Sequence, residues 1–287
     1  MILTSKNLAA AALASLLAAA GPAAGEDDRT KAKSGYTLFR PTPRDLMRPL
    51  STDRPDATES PYTVDAGHLQ LEADVVAYLR DVGRDDGAHL RGWAFPITNL
   101  KLGLTNGIDA QLVVETFRWE ENTDAGSEAT VDGFGDLVLR GKFNLWGNDE
   151  GPTAFALLPF VKFPTAGEGL GNDHVEWGIA LPLAVGLPRG FGLGAQLVVE
   201  ALRNDGDTGY HAGLGASATV NHVLVGNLSG FVEIAAAGPA DGEWEVTFDA
   251  GLTYGIGEDV QLDVGAFVGL NRAASDLVLF AGISWRF

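Results

Sequence analysis

The sequence contains no cysteine. That excludes disulfide frameworks, cysteine-ligated zinc, iron–sulfur clusters and thiol nucleophiles. Positive charge is scarce: 20 Lys and Arg stand against 38 Asp and Glu, for a formal net charge of −18. Such a chain repels phosphate backbones, so no nucleic-acid partner is expected. Beyond residue 25 no apolar run reaches the roughly 18 residues of a membrane helix. The chain has no G-x-S-x-G elbow, no H-E-x-x-H pair and no P-loop. Glycine, by contrast, is plentiful. It fills 37 of 287 positions, against a usual level of about 7%. Each would cost about 1 kcal/mol relative to alanine inside a helix, so a mostly helical fold is excluded.

Residues 1–25 read as a secretory signal peptide. Lys6 is a short basic start, Leu8 to Ala20 is an uncharged Ala/Leu run, and small residues follow at Ala18-Ala19-Ala20-Gly21 and Ala23-Ala24-Gly25. Cleavage fits after Ala20 and after Gly25 alike. A membrane-anchoring helix is the alternative, disfavoured because the run is short and lacks a charged stop-transfer cluster. Residues 26–66 are a polar lead-in with Pro41, Pro43, Pro49 and Pro55 and no lasting hydrophobic period. They read as a loosely packed periplasmic segment or as a plug inside a barrel.

From residue 67 the hydrophobic period is two. His68-Leu69-Gln70-Leu71-Glu72-Ala73-Asp74-Val75 alternates without a break, and Trp244 to Asp249 and Val260 to Val264 repeat the pattern. This is a strand with one apolar and one wet face. Twelve segments can be laid out: 67–80, 88–103, 107–119, 132–146, 152–164, 175–187, 190–203, 209–224, 228–237, 244–256, 258–270 and 276–287. Most exceed the usual 5 to 6 residues and meet the roughly 9 to 11 that a tilted strand needs to cross a bilayer. Long connections (Asp81–Gly87, Glu120–Val131, Thr165–His174) alternate with tight ones (Thr105-Asn106-Gly107, Pro188-Arg189, Val225-Gly226-Asn227). Outer-membrane barrels have this alternation, and an even strand number puts both termini on the short-turn side.

The apolar faces carry no charge. One reads Trp177, Ile179, Leu181, Leu183, Val185, Leu187, another Trp244, Val246, Phe248, Ala250, Leu252, Tyr254. A soluble sandwich explains period two but not the strand length, loop alternation and signal peptide together. The last segment carries Ile283, Trp285 and Phe287 on its apolar face. These residues form a candidate assembly signal, so barrel-assembly machinery and outer-membrane lipid are expected partners.

If apolar positions face lipid, their neighbours face the lumen, because basic residues on the lipid face cost about 2 to 4 kcal/mol each at the midplane. The candidate lumen lining is then Glu72 and Asp74 on the first segment, Arg91 and Lys101 on the second, and Asp109 and Glu115 on the third. Arg140, Lys142 and Lys162 follow on the fourth and fifth, then Glu200 on the seventh. Glu233, Glu245, Asp249 and Asp263 complete it on the ninth to eleventh, and Arg80 belongs to the same inward set. Either a field across a pore or internal salt bridges in a closed lumen follows from this. An open pore with acidic excess prefers cations mildly. Gly178, Ala180, Ala184, Gly186, Gly192, Gly194, Gly213, Gly215 and Ser217 thin the wall of segments six to eight. That leaves room for a solute or for the lead-in, or it relieves strain in a curved sheet.

Catalysis is not expected. His211 and Ser217 are six residues apart on one strand, about 20 Å, too far to share a proton. Asp205-Gly206-Asp207 and Asn172-Asp173 have calcium-compatible residue types but read as solvated loop tips. No cofactor or metal is expected.

Ser51-Thr52-Asp53-Arg54-Pro55-Asp56-Ala57-Thr58-Glu59-Ser60-Pro61-Tyr62-Thr63-Val64, leading into Gly67-His68-Leu69-Gln70-Leu71-Glu72, resembles the opening of the family named for the meta-pathway of phenol degradation. Gly135-Asp136-Leu137 with Gly141-Lys142, and Leu158-Pro159-Phe160-Val161-Lys162-Phe163-Pro164-Thr165, fit the same family. Its members are often labelled transporters. The resemblance spans residue 51 to the C-terminus and implies an outer-membrane barrel for solute uptake. It carries over no catalytic or binding residues.

The expectation is therefore an all-β, up-and-down transmembrane barrel of about twelve strands over residues 67–287, in the outer membrane of a Gram-negative bacterium. Ten or fourteen strands also fit, because Pro96 interrupts the second segment and residues 40–66 can supply a strand. The expected function is passive transport of a small solute, hydrophobic or, by resemblance alone, aromatic. A closed structural or surface-interaction barrel is the second reading and a lipid-acting enzyme the third.

Overall fold

The structure, a computed structural model, describes residues 28–82, 89–124, 127–204 and 209–287. The signal-peptide reading of residues 1–25, most of the Asp81–Gly87 connection and the Asp205-Gly206-Asp207 loop tip lie outside the described residues.

Twelve antiparallel strands close into one barrel. They are β1 (Leu69–Val82), β2 (His89–Ala94, resuming as Ile97–Thr105), β3 (Ile108–Glu115, resuming as Arg118–Asp124) and β4 (Ser127–Gly133, resuming as Leu137–Trp146). Next come β5 (Thr153–Phe163), β6 (Glu176–Gly186), β7 (Phe191–Arg203) and β8 (Tyr210–Val225). The last four are β9 (Leu228–Pro239), β10 (Glu245–Ile256), β11 (Val260–Gly269) and β12 (Leu277–Arg286). Each neighbours the next, and β12 pairs with β1 to close the ring, as Gln70 opposite Arg286 and Ala73 opposite Ile283. Around the twelve-strand ring closure leaves no edge, the condition for a sheet in lipid, and only Ser127–Gly133, paired with Arg118–Asp124 alone, ends the ladder on one side among the described residues.

The two faces are inverted relative to a soluble protein. On β12, Trp285 is 46% exposed while its neighbours Ser284 and Arg286 are 0% and 5% exposed. On β9, Val232 and Ile234 are exposed and Glu233 between them is buried. Apolar outside and polar inside is the pattern of a lipid-embedded barrel. A sandwich packs its apolar faces together instead.

Three adjacent strands break at one level: β2 at Phe95-Pro96, β3 at Thr116-Phe117 and β4 between Gly133 and Leu137. Pro96 lacks the ladder donor, which accounts for the first break. Past the break, Arg118–Asp124 and Ser127–Gly133 pair with each other as a hairpin. Glu120–Val131 is therefore mostly strand, where the sequence suggests a loop. Its polar run on both faces hides the period.

A second correction concerns Arg91 and Arg80. The register of β1 against β12 shifts between Asp74 and Val76. One extra residue moves every following side chain to the other face. Beyond the shift Ala77 opposes the inward Phe280, and Arg80 opposes Arg91 and the outward Leu277. Arg91 thus lies on the outer face of the hairpin end, 61% exposed, 3.9 Å from Glu121.

Candidate functional site

The lead-in starts with a one-and-a-half-turn helix, α1 (Asp28–Lys33), and a short 3-10 turn at Arg44–Leu46. It fastens to the short-turn end of the barrel by buried ion pairs. Lys33 Nζ lies 2.5 Å from Asp65 and 2.6 Å from Asp149. Arg48 donates to Thr63 O at 2.5 Å and to Asn106 Oδ1 at 2.6 Å. Arg286 of the closing strand donates to Arg48 O at 2.8 Å. The Arg48 and Lys33 cations, with a hydrogen bond from Asn106, hold the Asp149 carboxyl below its ordinary range despite burial.

Close packing here depends on one glycine. A Cβ on Gly103 would sit 2.0 Å from Asp65 O and 2.7 Å from Val64 O, both rigid backbone atoms. Gly103→Ala is expected to loosen residues 63–66 from β2. Limited proteolysis should then cut the lead-in faster than in the parent protein, while the barrel stays heat-modifiable on a gel.

Residues 51–60 form a finger, pinned by Ser51 Oγ to Ser60 Oγ at 2.8 Å and by Ser60 N donating to Asp53 Oδ1 at 3.1 Å. Its tip crosses the lumen. On the side of β1, β2 and β4 the contacts are ionic. Asp53 receives Lys101 Nζ at 2.5 Å, Lys142 Nζ, and Arg140 Nη2 at 3.3 Å. Glu72 accepts Asp53 N at 2.9 Å and Lys101 Nζ at 2.7 Å. Arg140 holds both oxygens of Glu59, at 2.5 and 2.8 Å. Arg54 bridges Asp74 at 2.7 Å and Asp263 of β11 at 2.6 Å.

On the opposite side, against β7, β8 and β9, the contacts are hydrogen bonds. Ala57 N and Thr58 N donate to Glu233 at 2.6 and 2.9 Å, and Thr58 Oγ1 donates to it as well. Thr58 Oγ1 also meets Ser217 Oγ at 2.6 Å. Gln196 accepts from Glu59 N at 3.0 Å and donates to Ala57 O at 3.3 Å.

The finger's carboxyls are tuned in opposite directions. Burial alone would raise Asp53. The charges of Lys101, Lys142 and Arg140 override it and hold the group well below the carboxylate range. Asp56 has no such cation, and burial with the Glu233 carboxylate beside it pushes it up to about 7.

The sequence-derived lumen candidates are distributed unevenly. Glu72, Asp74, Lys101, Arg140, Lys142, Glu233 and Asp263 meet the finger, and Asp109 accepts Val64 N at 3.0 Å. Asp249 is buried beside Glu233 in the β9–β10 register and accepts Thr247 Oγ1 at 3.1 Å. Glu115 instead holds Arg118 at 2.7 Å, and Lys162 sits between Asp136 and Glu176 at 2.9 and 3.0 Å near the long-loop rim. Glu200 packs against Gly178 and Gly213. Ile283, Trp285 and Phe287 follow the lipid face, with Phe287 N bonded to Leu69 O at 2.8 Å. Asp53, Arg54, Thr58 and Glu59 are contacts that strand periodicity does not reveal, whereas Gln196 is inward by that period. The mixed-charge run Asp53-Arg54-Pro55-Asp56 is the one signal that points to them.

Asn172 is committed to neighbours, accepting Lys162 Nζ at 2.7 Å and donating to Glu176 at 2.7 Å. No group of three His, Cys, Asp or Glu suited to a metal occurs among the described residues. His211 holds Asn204 at 2.8 Å while Ser217 holds Thr58, so the two are separate.

Two cavities border the finger and another lies at the base of the lead-in. The largest, 630 Å³, opens at the short-turn mouth between Arg44–Leu50 and Gly255–Gln261. Its Arg44 and Arg286 share Asp259, and Arg48 faces Asp65 and Asp149. A 280 Å³ cavity lies between the finger and β6–β8. A third, 240 Å³, lies beyond Ala57 against β7–β10.

Among solved structures, the chain is similar to the COG4313 outer membrane channel from Pseudomonas putida F1, at 12% identity with a TM-score of 0.64. That match covers 83% of this chain and 100% of the other. It is also similar to the NanC porin at 11% identity with a TM-score of 0.50, over 76% of this chain and 98% of that one. Both likenesses establish the outer-membrane barrel fold. No curated protein matches the sequence. The family model described as "Putative MetA-pathway of phenol degradation" matches residues 52–287, from the finger to the last strand, and the chain belongs to that family.

Proposed function

We propose that this protein is an outer-membrane channel for passive passage of a small solute, and that residues 28–66 are its plug. The observation that carries the reading is the finger, which crosses a closed barrel and touches seven of its strands through Asp53, Arg54, Ala57, Thr58 and Glu59. Residues 1–25 act as the export signal, and Ile283, Trp285 and Phe287 present the last strand to the assembly machinery. An aromatic solute is suggested by the family description alone. The dense ion pairing favours a second reading, a permanently closed structural barrel.

Single-channel recording in planar bilayers separates the two. Full-length protein should show small currents with rare large openings, and removal of residues 28–66 should make the large state constant. Silence from both forms, each with a heat-modifiable folded band, would reject the channel reading and leave the closed barrel.

A further inference from the structure

We infer that solute passes beside the docked finger, along a cation-free lane on β6–β10, and that this lane selects small neutral or ammonium-bearing solutes over carboxylates. The inference rests on the channel reading and gives it a route and a substrate class.

The 280 and 240 Å³ cavities lie in sequence along one wall. The hydrogen-bonded layer of Ala57, Thr58, Gln196, Ser217 and Glu233 stands between them, Thr58 lining the first and Ala57, Gln196 and Ser217 the second. The wall is thin because Ala184, Gly192 and Gly194 face the first cavity and Gly215, Ala235 and Ala237 the second. Both volumes fall below the roughly 300 Å³ at which drug-sized ligands begin to fit, so the solute is small.

The two sides of the finger differ in what a solute must displace. The β1, β2 and β4 side is locked by buried ion pairs, and breaking one strands a charge. The lane side is held by hydrogen bonds of hydroxyl, amide and backbone groups to Glu233, Gln196 and Ser217. A solute hydroxyl or ammonium replaces Thr58 as donor to Glu233 and leaves no group unpaired, so the barrier is local. The finger stays docked by Asp53 and Arg54.

Charge sets the selectivity. Among the described residues no Lys, Arg or His lines either inner cavity. The carboxyls lining the two cavities are Asp56, Glu59, which Arg140 already pairs, and Glu245, and Glu233 with Asp249 in register beside it stands at the Thr58 layer between them. Asp249 Oδ1 is buried with no hydrogen-bond donor. Lys101 and Lys142 are held away from the lane by Asp53, and Arg140 is taken up by both oxygens of Glu59 at the edge of the first cavity. A carboxylate solute therefore meets carboxyls without a compensating cation, whereas an ammonium supplies the charge that Glu233 and Asp249 lack.

The test is the reversal potential of the full-length protein in a gradient of ethanolammonium lactate, with swelling of proteoliposomes in erythritol. Ethanolammonium is expected to pass at least about 10-fold more readily than lactate, and Glu233→Gln to lower that ratio at least about 3-fold. Ala184→Phe and Ala235→Phe, one filling each cavity, should each slow erythritol about 5-fold or more and leave the finger's ion pairs intact. A ratio near one or in favour of lactate overturns the lane. So do unchanged erythritol rates in both Phe variants. A silent full-length protein whose form lacking residues 28–66 conducts also overturns the lane, leaving whole-plug release as the route. Silence of the truncated form as well refutes the channel reading itself.

Discussion

Asp53→Ala should convert the rare large conductance into a frequent one, raising its occupancy about 100-fold. Asp53 is the shared counter-ion of Lys101, Lys142 and Arg140. Lys101 retains Glu72 and Arg140 retains Glu59 after the substitution. Lys142, 0% exposed, loses its direct carboxylate contact. Removing one partner of a buried ion pair costs about 3 to 5 kcal/mol, and even about 2.7 kcal/mol corresponds to about 100-fold. The loss falls on docking of the finger, because the barrel ladder does not involve Asp53. Asp53→Ala with Lys142→Met removes both charges and should restore most of the docking, since replacing a buried pair by apolar groups is close to neutral. Single-channel occupancy of the two variants reads this directly. If Asp53→Ala stays as closed as the parent protein, the finger is not what shuts the barrel.

Raising the pH through about 7 should loosen the docked finger, and Asp56→Asn should sharply weaken that response. The docked Asp56 carboxyl titrates near 7, against an ordinary 3.8. A carboxyl raised by docking stabilises the docked state fully below its ordinary value, and the stabilisation is lost as pH rises through the docked value. Burial is the first cause. Glu233 and Glu59 add repulsion, while a hydrogen bond with Thr219 opposes it. Asp249 stands next to Glu233 and adds no cation. Glu59 is also raised, by burial ahead of the Arg140 attraction, so it acts in the same direction. Asp53 is lowered, so its contribution persists at neutral pH and fails only in strong acid. Occupancy of the large state recorded from about pH 5 to about pH 9 should rise up to about pH 7 and level off above it. A flat profile, or one that falls with pH, would show that Asp56 does not hold the finger.

The strand inventory was legible because a barrel in lipid is written in the local pattern. Leu277, Leu279, Ala281, Ile283 and Trp285 must all face one way, and a period of two states that without any knowledge of neighbours. Pro96 marked a break correctly but not its consequence. It divides β2 in two without changing the strand count, because Ile97 resumes against the same β1 that Ala94 leaves. Arg80 falls on the outer face because the pattern carries no mark of the extra residue near Val75, and Arg91 because the break at Phe95-Pro96 leaves Ala94 and Ile97, three residues apart, on the same face. The Glu120–Val131 hairpin was hidden because polar residues occupy both of its faces, so no period of two is visible.

The sequence by itself determined the class: a lipid-facing, glycine-rich, antiparallel barrel with charge on the inside. Lipid demands an uncharged face at every second residue, and that demand acts on each strand alone. Only the tertiary structure decided where residues 51–60 go and which charges they meet. Asp53 finds Lys101, Lys142 and Arg140, and Thr58 finds Ser217 and Glu233, at separations of 48 to 175 residues along the chain. Such pairings depend on barrel closure, register and the β1 shift together. No local pattern records them, because each partner's electrostatic requirement is met by any opposite charge or donor that the fold brings within reach.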